Sequence, residues 1–248
     1  TSEARDLLFP LFGRDDNSRR TPQLWRMKLG FRILPAPPPV DAAIVERFRG
    51  LASSNVADAM GRFNYMGPEI RSRSGFPLCG RAVTVLCRPA DNLMVHKALQ
   101  LAEPGDIVVV ATCGSTATAV FGELMCHTAA AKKLGGIIVD GAIRDVGGIA
   151  KLGFPAFSRH VSPGGCDKDG PGEINVPISC GGVVVMPGDI IVGDDDGVAV
   201  VPSAHAAEVL ALVDGLMSRE KKRVAEIQGG ALYKSEIDDT LRKHGVIE

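Results

Sequence analysis

The chain has 248 residues, 45% of them hydrophobic, and a formal net charge of −1. That length and composition predict one domain around one substantial core. The near-neutral charge gives no electrostatic case for nucleic acid or a membrane surface as a partner. No apolar run approaches the roughly 20 residues of a membrane span and no secretory signal is visible, so a cytoplasmic location is expected.

Residues 1–26 mix Arg14, Asp15, Asp16, Arg19 and Arg20 with an apolar patch from Leu7 to Phe12. Two readings stay open for them: sequence upstream of a start at Met27, or a native extension that packs on a neighbouring subunit. Residues 1–40 are read as this extension plus a stiff connector, Pro35 to Pro39. Residues 41–228 are the core domain, and 229–248 a tail with a short helix. Within the core, helices are predicted over Asp41 to Leu51, Asn55 to Arg62 and Asp91 to Leu101, and strands over Leu78 to Cys87 and Ile107 to Ala111. Thr112 to Thr118 is a loop of small and hydroxylated residues, placed to line a pocket.

The most informative stretch is Gly122 to Asp145, GELMCHTAAAKKLGGIIVDGAIRD. From Glu123 small and apolar residues recur at helical spacing until Gly135-Gly136 ends the run. Ile137 to Val139 suits a short buried parallel strand. The helix begins at Gly122, so the amides near Glu123, Leu124 and Met125 lack intrahelical partners and can receive a carboxylate or phosphate. The strand's carboxyl end delivers Asp140, Gly141, Arg144 and Asp145, where ligands of open α/β folds gather. A guanidinium beside carboxylates at an anion-ready helix mouth can hold a 2-oxo acid and a divalent metal together. The plainer reading is that Arg144 and Asp145 merely cap the next helix, Val146 to Leu152, with Glu123 as a favourable N-terminal charge.

Further strands are expected over Phe154 to Ser158, Val183 to Met186, Ile190 to Val192 and Val198 to Val201. Ser162 to Gly172 reads as a surface loop in which Lys168 is no phosphate ligand, because no P-loop or dinucleotide fingerprint surrounds it. Asp194-Asp195-Asp196-Gly197 lacks the alternating ligands and late glutamate of a calcium loop and is read as a tight turn whose carboxylates cap amides. Ser203 to Gln228 is helical, with Ser203 as N-cap. The six cysteines show no C-x-x-C pair and are expected to be reduced, buried thiols. Lys132, Lys133 and Lys151 look like ordinary solvated charges, which disfavours a Schiff base. His127, four residues after Glu123, is read as a core or supporting residue.

Glu123, Arg144 and Asp145 form E-x20-R-D, which resembles the signature of the metal-dependent pyruvate aldolases related to the regulator of ribonuclease activity A (RraA-like). The best-known enzymes there are the 4-hydroxy-4-methyl-2-oxoglutarate/4-carboxy-4-hydroxy-2-oxoadipate aldolases. Asn55 to Gly61, Asp91-Asn92-Leu93, Pro104-Gly105-Asp106, Val176 to Gly182, Pro187-Gly188-Asp189 and Asp194 to Val198 continue the likeness in order, over residues 41–228. The resemblance implies an αββα sandwich of the swivelling β/β/α, phosphohistidine-domain-like type, assembled as a homotrimer or homohexamer with sites between subunits. It implies Mg²⁺ or Mn²⁺ anchored by Asp145, with Glu123 and, from a neighbouring subunit, Glu220 holding it through water; Glu226 and Glu208 are the fallbacks for Glu220. The substrate would be a 4-hydroxy-2-oxo acid, its carboxylate on amides at Gly122, Leu124 and Met125 and its keto oxygen on Arg144. Retro-aldol cleavage would release pyruvate, and the same enolate implies oxaloacetate decarboxylation. Arg159, His160, Arg62 and Asn64 are candidates for the substrate's far end. Two rivals stand beside this reading: a non-catalytic regulator of an RNA-degrading enzyme, and a metal-dependent lyase acting on another 2-oxo acid.

Overall fold

The structure is a computed structural model that describes residues 29–248; the two readings of residues 1–26 fall outside the described residues. The chain runs β1 (Phe31–Ile33), α1 (Ala42–Phe48), α2 (Ser53–Ala59), β2 (Arg71–Ser72), β3 (Leu78–Cys87), α3 (Leu93–Leu101), β4 (Ile107–Ala111) and β5 (Ala119–Phe121). It continues with α4 (Glu123–Ala131), β6 (Gly136–Ile143), α5 (Val146–Leu152), β7 (Ala156–Val161), β8 (Gly172–Ile174) and β9 (Ile178–Cys180). Then come β10 (Val183–Val185), β11 (Ile190–Gly193), β12 (Val198–Val201), α6 (Ala206–Gln228) and α7 (Ser235–Lys243). This is a mixed α/β fold.

Four parallel strands, β3, β4, β6 and β7, form the centre of a ten-stranded mixed sheet. β4 is buried along its whole length, and its period-2 alternation feeds two cores at once. Val108 and Val110 face a core closed by α3, α4 and α5. Ile107, Val109 and Ala111 face a second core closed by residues of β9 to β12. β11 repeats the device: Ile191 joins that second core, while Ile190 and Val192 face a third one built with Phe48, Val56, Val209, Leu210 and Val213 of α1, α2 and α6. β3 joins the two strand systems. Its first half, Leu78 to Arg81, pairs antiparallel with β11, and its second half, Ala82 to Leu86, pairs parallel with β4.

β6 is longer than the apolar run Ile137 to Val139 suggests, so Asp140 and Gly141 lie inside the strand rather than at its end. The buried Asp140 is tolerated there because its carboxylate accepts from Arg159 Nε (2.5 Å) and from the Gly181 amide (2.8 Å). α4 stops at Ala131, and the left-handed Lys133 turns the chain toward β6. Lys132 is not a free surface charge: its Nζ donates to the carbonyls of Gln100 and Ala102 (both 2.8 Å) and caps the end of α3. Ser203 opens a 3-10 turn instead of capping α6 through its side chain. Asp194 behaves as the turn reading expects: its carboxylate accepts from the Ser53 amide (2.7 Å), the Ser53 hydroxyl (2.6 Å) and the Asp196 amide (3.0 Å). All six cysteines are free thiols. Among the described residues no helix is long and apolar enough to cross a membrane.

β1 is tied to β8 through Glu173, which is buried and accepts from Arg32 Nε (2.7 Å) and the Gly30 amide (2.6 Å). The Arg32 hydrogen bond, helped by the Gly30 amide and the guanidinium charge, outweighs burial and holds the Glu173 carboxyl below its usual value of 4.5. A carboxyl depressed in the folded state stabilises above its unfolded pKa, and that stabilisation is lost as pH falls through the folded value. Glu173→Gln should therefore flatten the acid limb of the stability curve below about pH 4.5, measured by urea unfolding at stepped pH. Asp194→Ala leaves the buried Ser53 donors without an acceptor and should cost about 1–3 kcal/mol in the same unfolding experiment.

Candidate active site

The mouth of α4 and the end of β6 meet because each supplies what the other lacks. The Arg144 amide donates to the Phe121 carbonyl (2.9 Å), which fixes the chain after β6 beside the last residue of β5. The carboxylate of Asp145 accepts from the amide of Glu123, the first residue of α4 (3.2 Å). Arg144 Nε lies 3.5 Å from the same carboxylate, with both side chains half exposed. Gly122, the extended N-cap of α4, must be bare: a Cβ there would stand 2.7 Å from Asp145 Oδ2 and 3.0 Å from Arg144 Cγ. Gly148 does the same for Glu123, since a Cβ at that point of α5 would run into the Glu123 carboxylate.

The capping alternative makes a specific statement about Asp145, and the geometry answers it. Asp145 is the N-cap residue of α5, yet its side chain makes no cap bond to that helix. It turns back to α4 instead. Its backbone is left-handed (φ 58°), a conformation that costs a non-glycine residue free energy and persists where surrounding structure enforces it.

These groups line one cleft of about 510 Å³, within the range of small-molecule sites. Gly122, Glu123, Leu124, Met125, Arg144 and Asp145 all face it. The first-turn amides of Leu124 and Met125 are left without intrahelical acceptors, as at any helix start. Leu124 is 83% exposed, a large apolar side chain at the cleft rim. On the β5 side the lining comes from Ala119 and Phe121, so residues 112–118 do not form that wall.

Glu220 does not line this cleft of its own chain. It lies on α6 and accepts from Asn55 Nδ2 (3.0 Å). Glu226 pairs with Arg223 and Glu208 with His205 on the same helix and its lead-in turn. His127 stands 3.9 Å from the Glu123 carboxylate, beyond hydrogen-bond reach. Among the described residues no three His, Cys, Asp or Glu side chains gather into a metal-binding group. Arg159 is committed elsewhere, to Asp140 and to Glu69 (2.9 Å), and Arg62 pairs with Asp58 (3.2 Å). Neither they nor His160 and Asn64 line the cleft.

Four lining residues escape the motif reading: Asn92, His96, Cys166 and Lys168. Asn92 is buried, donates to the Val120 carbonyl (3.1 Å) and leaves its Oδ1 without a partner among the described residues. Segment 165–168 belongs to the predicted surface loop, but it is folded onto the start of α3 and forms a wall. Burial pushes the Cys166 thiol up, and burial with the Glu123 charge pushes Cys126 up to about 11, so neither is a ready thiolate nucleophile. Burial and the nearby Lys168 ammonium lower the His96 pKa.

Comparison with known proteins agrees with this architecture. The family model described as RraA-like, Aldolase/RraA, matches residues 53–200. A Halalkalibacterium halodurans protein named "Putative 4-hydroxy-4-methyl-2-oxoglutarate aldolase" is 38% identical over 167 residues, 67% of this chain and 80% of that protein. An uncharacterized protein from Pseudomonas syringae has a similar structure, with a TM-score of 0.70 and 25% identity over 78% of this chain and 96% of that one. The RNA-processing inhibitor RraA of Thermus thermophilis is similar at a TM-score of 0.58 and 27% identity, covering 61% of this chain and 93% of that one. With the family model spanning more than half of its length, this chain belongs to the Aldolase/RraA family.

Proposed function

We propose that the chain is a divalent-metal-dependent lyase that cleaves a 4-hydroxy-2-oxo acid of the 4-hydroxy-4-methyl-2-oxoglutarate type to pyruvate, and that decarboxylates oxaloacetate at the same site. The observation that carries this reading is the meeting of Arg144, Asp145, Glu123 and the α4 mouth in one cleft. Names of relatives support the lyase class. The wider reading includes αββα subunits in a trimeric or hexameric ring.

Two carboxylates in one cleft suit Mg²⁺ or Mn²⁺, because magnesium takes one or two carboxylates and keeps several waters. Asp145 would hold the ion directly and Glu123 through water, joined by Glu220 from a neighbouring copy. When bound, the ion would add Lewis-acid polarisation of the 2-oxo group. The chain's own residues do the rest. The amides of Leu124 and Met125 receive the substrate carboxylate at the positive end of α4. The Arg144 guanidinium hydrogen-bonds the 2-oxo oxygen, where negative charge grows as the C3–C4 bond breaks. The C4 hydroxyl proton leaves through water held by the two carboxylates, C4 departs as a carbonyl, and protonation of the enolate at C3 gives pyruvate. Loss of carbon dioxide from oxaloacetate breaks the corresponding bond and yields the same enolate.

A second reading, a non-catalytic regulator of an RNA-degrading enzyme, is favoured by the likeness to a protein described as an RNA-processing inhibitor. Activity decides between them. Pyruvate release from oxaloacetate and from 4-hydroxy-4-methyl-2-oxoglutarate should require Mg²⁺ or Mn²⁺ and stop with EDTA. Arg144→Ala and Asp145→Ala should each lose about 10²-fold or more in kcat. No turnover of either substrate by the folded, metal-supplied protein would sink the lyase assignment. Gly122→Ala offers a finer test. The added methyl displaces side-chain tips of the site rather than backbone, so kcat/KM should fall about tenfold or more while the unfolding midpoint stays near wild type.

A further inference from the structure

Beyond the groups that handle the 2-oxo end, the cleft carries a second cationic wall. Lys168 and His96 come from different elements, the loop after β7 and the middle of α3, and face the same cavity as Arg144. The backbone on both sides of Lys168 is clamped to the start of α3. The Asp167 carbonyl accepts from the Asn92 amide (3.0 Å), and the Asp167 amide donates to the Ala90 carbonyl (2.8 Å). On the other side, the amides of Asp169 and Gly170 donate to the buried carboxylate of Asp91 (both 2.8 Å). Those backbone hydrogen bonds, with the one from Leu93, and the Arg88 charge outweigh burial and keep Asp91 below the usual carboxylate range.

Lys168 itself forms no ion pair among the described residues, unlike Arg88, Arg144 and Arg159 nearby. Cys166 lies within electrostatic reach of both Lys168 and Arg144, so cations flank it from two directions. His96, half-buried on α3, has its pKa lowered first by burial and then by Lys168, which keeps it a neutral donor at neutral pH. One fixed ammonium and one neutral N–H donor make a wall matched to a single carboxylate, since charge-assisted hydrogen bonds are the stronger kind. The cavity is also larger than a three-carbon acid needs.

We propose that Lys168 and His96 bind a carboxylate at the far end of the substrate, and so select 2-oxo acids that carry two carboxylates over those that carry one. The proposal rests on the reading of the cleft as a 2-oxo-acid site, and it assigns the specificity end of that site. A solvated lysine with no ligand is the alternative.

The test is calorimetric titration of the full chain with Mg²⁺, using 2-oxoglutarate and 2-oxopentanoate, which differ in the far carboxylate. Wild type should bind 2-oxoglutarate at least about tenfold more tightly. Lys168→Gln should remove most of that preference and leave 2-oxopentanoate within about twofold of wild type. Lys168→Arg should retain the preference, and His96→Gln should lose part of it. No preference in wild type, a preference that survives Lys168→Gln, or equal weakening of both ligands would overturn the assignment. Pyruvate release is read separately on the same samples. Its absence alongside a Lys168-dependent preference would refute the lyase reaction and leave the dicarboxylate site standing.

Discussion

The contact between the end of β6 and the mouth of α4 is the constraint on which the site depends. One backbone hydrogen bond, Arg144 to Phe121, sets the distance between the two segments, and one side-chain bond, Asp145 to the Glu123 amide, sets their orientation. A glycine at 122 is the condition for both. Helix start, guanidinium and carboxylates are each ordinary features of α/β proteins. Their value comes from being held together in a small volume, where uncompensated amides and a fixed positive charge meet without mutual neutralisation.

The scaffold explains how such a contact is kept in place. β6 is buried along all eight of its residues, between two cores, so its C-terminal end cannot drift relative to β4 and β5. α4 is pinned through Met125, Cys126 and Ala129 in the same core that receives α3 and α5. The three helices that supply cleft residues thus share one hydrophobic base. Packing at that density leaves little room for independent motion of their first turns.

Much of this was legible in the sequence. Strands of five or more residues, the helices with an apolar face and the E-x20-R-D spacing follow from periodicity and family likeness. The likeness found Glu123, Arg144 and Asp145 although they are far from one another in local pattern. What escaped detection depends on long-range satisfaction of polar groups. Asp140 looks like the end of a strand until Arg159 and Gly181 are seen to meet it. Segment 162–172 looks like a free loop until Asp91, more than 70 residues earlier, is seen to collect its amides. The two- and three-residue strands β1, β2, β5, β8 and β9 are too short for any period to register. Lys168 belongs to this group: nothing local marks it, and only the anchoring of its neighbours turns it toward a cavity.

The double pairing of β3 reaches further than architecture. A single ten-residue strand carries the ladder to β11 on one half and the ladder to β4 and β8 on the other. Neither strand system has a complete edge without it, so neither is a separable piece of the protein. Truncation between the two systems would expose unpaired strand backbone on both fragments, the condition that favours aggregation. The chain is therefore expected to open and close as one cooperative unit, with the amides of β3 among the last to exchange with solvent.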